Sequence, residues 1–163
     1  MNKIYFKRAL LAIGATIALT IGLVVPAGAG GDSTLRPGLA QLSGGPCGGS
    51  YTHVGHYALP NAADGSIDGY LDVYWSSSSR RNCLVVNHAG NYYGRYSLTT
   101  AKIKPSGYSW PPCNSAGCDR GNYAYYAGPV YTPYGVDMTH RCIDIYGIVN
   151  ANAGRIYYGL HCG

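Results

Sequence analysis

The chain has 163 residues, with 12 Lys and Arg, seven Asp and no Glu, which gives a net charge of +5. Three of the basic residues and none of the Asp lie in residues 1–29, so the remaining 134 residues carry a net charge of only +2. That length fits one domain with a hydrophobic core, and the lack of a basic cluster argues against nucleic acid as a partner.

Residues 1–29 are predicted to be a secretory signal peptide. Three basic residues precede an uncharged, mostly apolar run at 9–25, and the Ala-Gly-Ala that ends at Ala29 fits a cleavage site. An uncleaved membrane anchor is the alternative, but the cleavage pattern favours removal of the segment. The mature chain is therefore expected to be secreted, without membrane contact after cleavage.

Residues 30–46, GGDSTLRPGLAQLSGGP, are rich in Gly, Ser and Pro and predict a flexible N-terminal arm. Leu35, Leu39 and Leu42 are spaced like one face of a helix, although Pro37 interrupts it. The arm is either a disordered tail or a segment that orders on a partner, with these leucines as anchors. The second interpretation would make the chain an adaptor subunit of an exported protein assembly, such as a toxin particle.

Residues 47–163 are predicted to form a disulfide-bonded β domain. In GYLDVYW, residues 69–75, apolar side chains alternate with Tyr70, Asp72 and Tyr74, which predicts a strand with one core face. A turn at 76–82 and a partner strand at 83–89 follow.

Residues 94–104 continue the strand pattern, and 142–162 predict a hairpin around NANAG. No run of ten or more residues predicts a good amphipathic helix. The fold class is therefore all-β, a small disulfide-stapled antiparallel β-sandwich or barrel.

Six cysteines, all after residue 46, predict three disulfides, because an even count is typical of small exported proteins. A zinc site is the rival interpretation, but the chain has no C-x-x-C motif and no finger spacing. The predicted hairpin places two cysteines opposite each other, and the loop at 105–121 contains two more, which leaves one pair by elimination. The expected bonds are Cys47–Cys83, Cys113–Cys118 and Cys142–Cys162.

Five features of the chain together resemble one family: GPCGGSY (45–51), DVYWSSSSRRNCLVV (72–86), YAGPVY (126–131), RCIDIYG (141–147) and a cysteine one residue from the end. The order resembles spore-associated protein A, a family of small exported actinobacterial proteins. The resemblance implies secretion, a β-rich disulfide-bonded domain and association with the cell or spore surface. It brings no established catalytic residues.

No catalytic motif is evident, so a non-enzymatic protein without metal or cofactor is expected. There is no G-x-S-x-G, and oxidised cysteines supply no thiol nucleophile. His53 and His56 are predicted on opposite faces of a strand, where they could not easily share a metal. Asp68 and Asp72 are expected in a solvent-facing row. A hydrolase with an unrecognised site, such as a triad built on His88, stays open as an alternative.

Tyrosines are the candidate contact residues, because a tyrosine offers a flat ring and a hydroxyl at low conformational cost. The candidates are Tyr70 and Tyr74 in one strand, and Tyr125 and Tyr131 in the tyrosine-rich segment 123–134. Alternatively, cross-strand tyrosines only stabilise an exposed sheet face. The sequence thus predicts a binding or structural protein at its producer's cell or spore surface, with another secreted or surface protein as partner. A carbohydrate or cell-wall binding module, with polysaccharide as ligand, is the alternative.

Overall fold

The computed structural model describes residues 45–163. The predicted signal peptide and almost all of the predicted arm, including Leu35, Leu39 and Leu42, lie outside these residues. The described part contains eight strands and a short 3₁₀ turn at Gly90–Tyr92. The strands are β1 (Thr52–Pro60), β2 (Ile67–Ser76), β3 (Arg81–His88), β4 (Ser97–Pro105), β5 (Cys118–Tyr123), β6 (Tyr126–Tyr131), β7 (Ile143–Val149) and β8 (Ala153–Leu160).

The strands form two antiparallel four-stranded sheets that pack as a sandwich. The first sheet has the order β1-β2-β3-β6, and the second has the order β5-β4-β7-β8. The sheets do not close into a barrel, so the all-β prediction is confirmed in its sandwich form. Among residues 45–163, no helix has the length and apolar character needed to cross a membrane.

The core lies between the two sheets and follows from the alternation in their strands. Leu71 and Val73 of β2 are fully buried, as are Ile103 of β4 and Ile145 of β7. At Gly147 an added Cβ would lie 2.8 Å from Leu71 Cγ, so the sheets approach too closely there for a larger residue. Burial of this inner face leaves the opposite face of the first sheet to carry polar and aromatic side chains.

The tyrosine-rich segment crosses from one sheet to the other. Strand β5 pairs with β4 in the second sheet, whereas β6 pairs with β3 in the first. Between them, the carbonyls of Ala124 and Tyr125 accept hydrogen bonds from the N–H groups of Gly94 and His88, both at 2.8 Å. Strand β6 is an edge strand, where Pro129 costs no ladder hydrogen bond. The loop predicted at 105–121 is shorter than expected, because β5 already begins at Cys118.

All six cysteines are paired, and the bonds are the three expected from the sequence. Cys142 and Cys162 close the β7–β8 hairpin, and Cys113 and Cys118 close the loop before β5. The remaining bond, Cys47–Cys83, ties the segment before β1 to β3. This last bond lies on the outward side of the first sheet and packs there against Tyr51, Tyr74 and Tyr131.

Candidate functional site

The outward side of the first sheet, called the outer face below, contains a cluster of polar and aromatic groups in mutual contact. Its position follows from β2, where Leu71 and Val73 point into the core and the alternate residues Tyr70, Asp72 and Tyr74 point outward. The register carries this pattern across β1, β3 and β6. The side chains of the outer face that matter here are those of His53, His56, Tyr70, Asp72, Tyr74, Asn87 and Tyr131.

A β-bulge in β1 brings two histidines onto this face. The register shifts between His53, which pairs with Tyr74, and Gly55, which pairs with Val73. Such a bulge adds one residue to a strand and so changes which side chains share a face. The expectation that His53 and His56 lie on opposite faces is therefore wrong.

Both imidazoles contact the same carboxylate oxygen. His53 Nε2 lies 2.8 Å from Oδ1 of Asp72, and His56 Nδ1 lies 2.6 Å from that atom. The other oxygen, Oδ2, accepts a hydrogen bond of 2.7 Å from Asn87 Nδ2. The histidine side chains are 47% and 53% exposed, whereas that of Asp72 is only 12% exposed. The cluster is thus a covered carboxylate beneath two accessible imidazoles.

The prediction that Asp68 and Asp72 form a solvent-facing row is wrong. Asp72 is covered by its histidine neighbours, and Asp68 is buried. Oδ2 of Asp68 accepts hydrogen bonds from Asn61 Nδ2 at 2.8 Å and Asn150 Nδ2 at 3.0 Å. Asp68 thereby joins the turn after β1 to the turn after β7, which is a structural role.

Two of the predicted contact tyrosines flank the histidines. Tyr70 stacks on His56 with ring centroids 4.2 Å apart, and Tyr74 meets His53 edge-on at 5.1 Å. Burial, and secondly the negative charge of Asp72, raise the pKa of Tyr74. The two tyrosines therefore pack against the imidazoles, and Tyr74 presents a neutral hydroxyl beside them.

Tyr131 joins the outer face at its edge. Its ring meets Tyr51 edge-on at 5.7 Å, and its hydroxyl donates to the carbonyl of Cys47 at 3.3 Å. The Arg81 guanidinium lies 5.2 Å from the ring centroid. Burial and then the neighbouring Tyr51 raise the pKa of Tyr131, against the opposing effect of Arg81. Tyr131 thus secures the segment before β1 as well as extending the face.

The fourth candidate, Tyr125, is not part of this cluster. It lies at the crossover between the sheets and packs edge-on against Tyr93 at 5.3 Å. His88 is also elsewhere and is buried, with Nε2 2.6 Å from Thr99 Oγ1 and Nδ1 3.1 Å from the carbonyl of Tyr92. Both ring nitrogens of His88 therefore have partners that are neither a serine nor an aspartate.

Sequence reasoning found Tyr70 and Tyr74 but not the histidine pair or Asn87. The alternation of faces along a strand places the tyrosines correctly. It gives the wrong relative placement of His53 and His56, because a bulge lies between them. The glycine in HVGH is the signal that could have indicated the bulge, since a glycine inside a strand pattern often marks one.

The fold and this face define a small, disulfide-bonded β-sandwich protein with a tyrosine- and histidine-rich outer surface. The chain is 30% identical over 156 residues to spore-associated protein A of Streptomyces coelicolor, a match that spans 93% of this chain and 88% of that protein. The chain belongs to the spore-associated protein A family. No family model and no solved structure matches the chain.

Proposed function

We propose that the chain is a secreted, non-enzymatic binding protein that acts at the surface of its producer's cells or spores. Two observations support this location. Its relative in Streptomyces coelicolor is named for association with spores. Three disulfides in so small a domain are typical of proteins that work outside the reducing cytosol.

The outer face is the proposed contact surface, and the observation that carries this is the grouping of its side chains. Tyr70 and Tyr74 supply rigid rings, and His53 and His56 supply accessible hydrogen-bonding nitrogens between them. Interfaces use such a combination, with aromatic anchors for area and polar groups for orientation. The disulfide Cys47–Cys83 beneath part of the face makes it rigid before any partner binds, which lowers the entropic cost of binding.

A protein partner fits this surface better than a polysaccharide. A sugar platform needs open aromatic ring faces, and the stacking of His56 on Tyr70 leaves only the other side of that ring for a sugar. The surroundings of His88 also support a non-enzymatic role, because its two nitrogens are occupied by Thr99 and a backbone carbonyl. A polysaccharide ligand is the second candidate, and competition with soluble sugars distinguishes it from a protein partner.

Replacing Tyr70 and Tyr74 together by Ala should release the protein from washed spores or cells of its producer. Loss of two anchor side chains at a contact typically costs more than 1 kcal/mol each, so retention should fall by at least about tenfold. Co-sedimentation followed by quantification of bound protein measures this. The matched control replaces Tyr96 and Tyr158, two tyrosines that are more exposed and lie outside the outer face.

Each variant is first checked for native circular dichroism, and Tyr70→Ala alone serves if the double variant unfolds. Equal retention of the outer-face variant and the control would contradict the proposal. Retention that is competed away by soluble peptidoglycan fragments or chitin oligomers would indicate polysaccharide instead of protein. A further variant, Leu35→Ser with Leu39→Ser, tests whether the arm makes the contact, as an adaptor subunit would require.

A further inference from the structure

We propose that His53, His56 and Asp72 bind one divalent transition-metal ion, with zinc as the expected ion. One ligand atom from each of the three side chains lies within 4.8 Å of the other two. The two histidines come from β1 and the aspartate from β2, so paired strands hold the three groups together. Because all three ligands belong to one chain, this proposal goes beyond the proposed contact function and does not depend on a partner.

The ligand types favour zinc over the hard cations. Two imidazole nitrogens and one carboxylate oxygen form a set that zinc accepts, as in catalytic sites where three protein ligands leave one position open. Calcium and magnesium prefer six or more oxygen ligands, and the cluster supplies a single carboxylate. Imidazole is a good ligand for zinc, copper and nickel, so competition among these ions is expected.

The observed distances need a small expansion to admit the ion. The nitrogen–oxygen separations of 2.8 and 2.6 Å are those of hydrogen bonds. Ligand atoms around a tetrahedral zinc ion lie about 3.3 Å apart, as follows from bonds of about 2.0–2.1 Å. His53 and His56 are about half exposed and can rotate outward by that amount. To bind the ion, each imidazole must present a lone pair, and not an N–H, on the nitrogen that faces it.

Groups around the cluster hold the ligands in place. Asn87 donates to Oδ2 of Asp72 at 2.7 Å and thereby turns Oδ1 toward the histidines. Tyr70 stacks on the ring of His56, which leaves room for the small outward adjustment but opposes a larger rotation. Such supporting contacts are the usual surroundings of metal ligands, and they set the orientation of each donor atom.

The fourth coordination position faces solvent, since both histidines are accessible and Asp72 lies beneath them. Water would complete the coordination in the isolated protein. In a complex, a carboxylate or imidazole from a partner could replace that water. The competing explanation is that the three side chains only form hydrogen bonds that tie β1 to β2. Metal titration distinguishes this structural role from a metal site.

Isothermal titration of the metal-stripped protein with zinc chloride tests the proposal. The protein must carry no polyhistidine tag, because a tag would bind zinc by itself. We expect one saturable site per chain, and a zinc-dependent rise in Tm of the same protein as an independent readout. His53→Ala and His56→Ala should each weaken binding by at least about 100-fold, and Asn87→Ala by about 10–100-fold.

His140→Ala is the matched control, because His140 is an exposed histidine outside the cluster. It should leave the affinity unchanged. Asp72→Asn keeps the shape of the side chain but removes the charged ligand, so it should weaken binding even if a histidine variant unfolds. No saturable binding, or an equal affinity in His53→Ala and His140→Ala, would overturn the proposed metal site. The hydrogen bonds to Asp72 would then have only a structural role.

Discussion

Lys104→Met is expected to lower the free energy of unfolding by about 3–5 kcal/mol, because it leaves a buried carboxylate without its partner. Lys104 Nζ lies 2.5 Å from Oδ2 of Asp144, and both side chains are less than 10% exposed. The other oxygen accepts hydrogen bonds from Ser106 Oγ and the N–H of Gly159, and the Trp110 ring covers the ammonium group at 4.9 Å. Urea denaturation at neutral pH measures the loss.

The exposed ion pair of Arg80 and Asp137 provides the control. Its side chains are 65% and 50% exposed, so Arg80→Met should scarcely change stability. A Lys104→Met variant as stable as the Arg80→Met variant would contradict the importance of the buried pair.

The same pair predicts a dependence on pH. Desolvation opposes ionisation of Asp144, but hydrogen bonds from Lys104, Ser106 and Gly159 outweigh it and lower the pKa of this carboxyl. A lowered pKa in the folded state adds stability above the ordinary aspartate range and loses it as the pH falls through the folded value. The difference in stability between the native chain and Asp144→Asn should therefore be full at neutral pH and shrink below about pH 4.

Removing the Cys47–Cys83 disulfide, with both cysteines replaced by Ala, is expected to cost about 4 kcal/mol. The bond joins residues 36 apart in sequence, and a longer closed loop restricts the unfolded chain more. The matched control is Cys113→Ala with Cys118→Ala, whose bond joins residues only five apart and should contribute about 2 kcal/mol. Denaturant unfolding of both double variants measures the two costs side by side.

This disulfide also has a consequence for the outer face. Its sulfurs pack beneath Tyr51, Tyr74 and Tyr131, so its removal should loosen these rings as well as destabilise the fold. Near-ultraviolet circular dichroism of the tyrosines is the readout. Equal costs for the two double variants, with unchanged tyrosine signals, would contradict the structural role given to Cys47–Cys83.

Local patterns in the sequence were sufficient for the fold class and much of the pairing. The alternation around Leu71 and Val73 identified β2 and its core face, and the symmetry about residue 152 identified the last hairpin and its disulfide. These features depend on residues that are close in sequence or on the period-two geometry of a strand. Such regularities can be seen without knowing the tertiary structure.

The features that were missed depend on distant partners or on irregular backbone. The bulge before Gly55 changes the sheet face on which one histidine lies. A strict alternation of faces along a strand does not predict an inserted residue. Asp68 is buried because Asn150, 82 positions later, satisfies it. Lys104 and Asp144 meet only because β4 pairs with β7. The sequence does not indicate which polar residues will become buried, because their burial depends on partners that only the tertiary structure supplies.

In the tyrosine-rich segment, too, the sequence predicted the local features but not those that depend on distant partners. A contact or structural role for its tyrosines was expected, and the structure distributes them over several surroundings. Tyr123 donates to Asp119 Oδ1 at 2.6 Å, Tyr131 joins the outer face, and Tyr125 packs against Tyr93 at the crossover. The sequence could not predict that the chain passes from one sheet to the other at 124–125. That crossover depends on the pairing of β5 with β4 and of β6 with β3, which are distant in sequence.

Hydroxyl-radical footprinting of the protein on its producer's surface tests the central claim, that the outer face is the contact surface. Oxidation of each tyrosine and histidine is compared by mass spectrometry between the free and the surface-bound protein. We expect Tyr70, His53 and His56 to become protected on binding, while Tyr96 and Tyr158 are oxidised at the same rate in both states. Unchanged oxidation of Tyr70 and both histidines, with protection elsewhere on the domain, would contradict it.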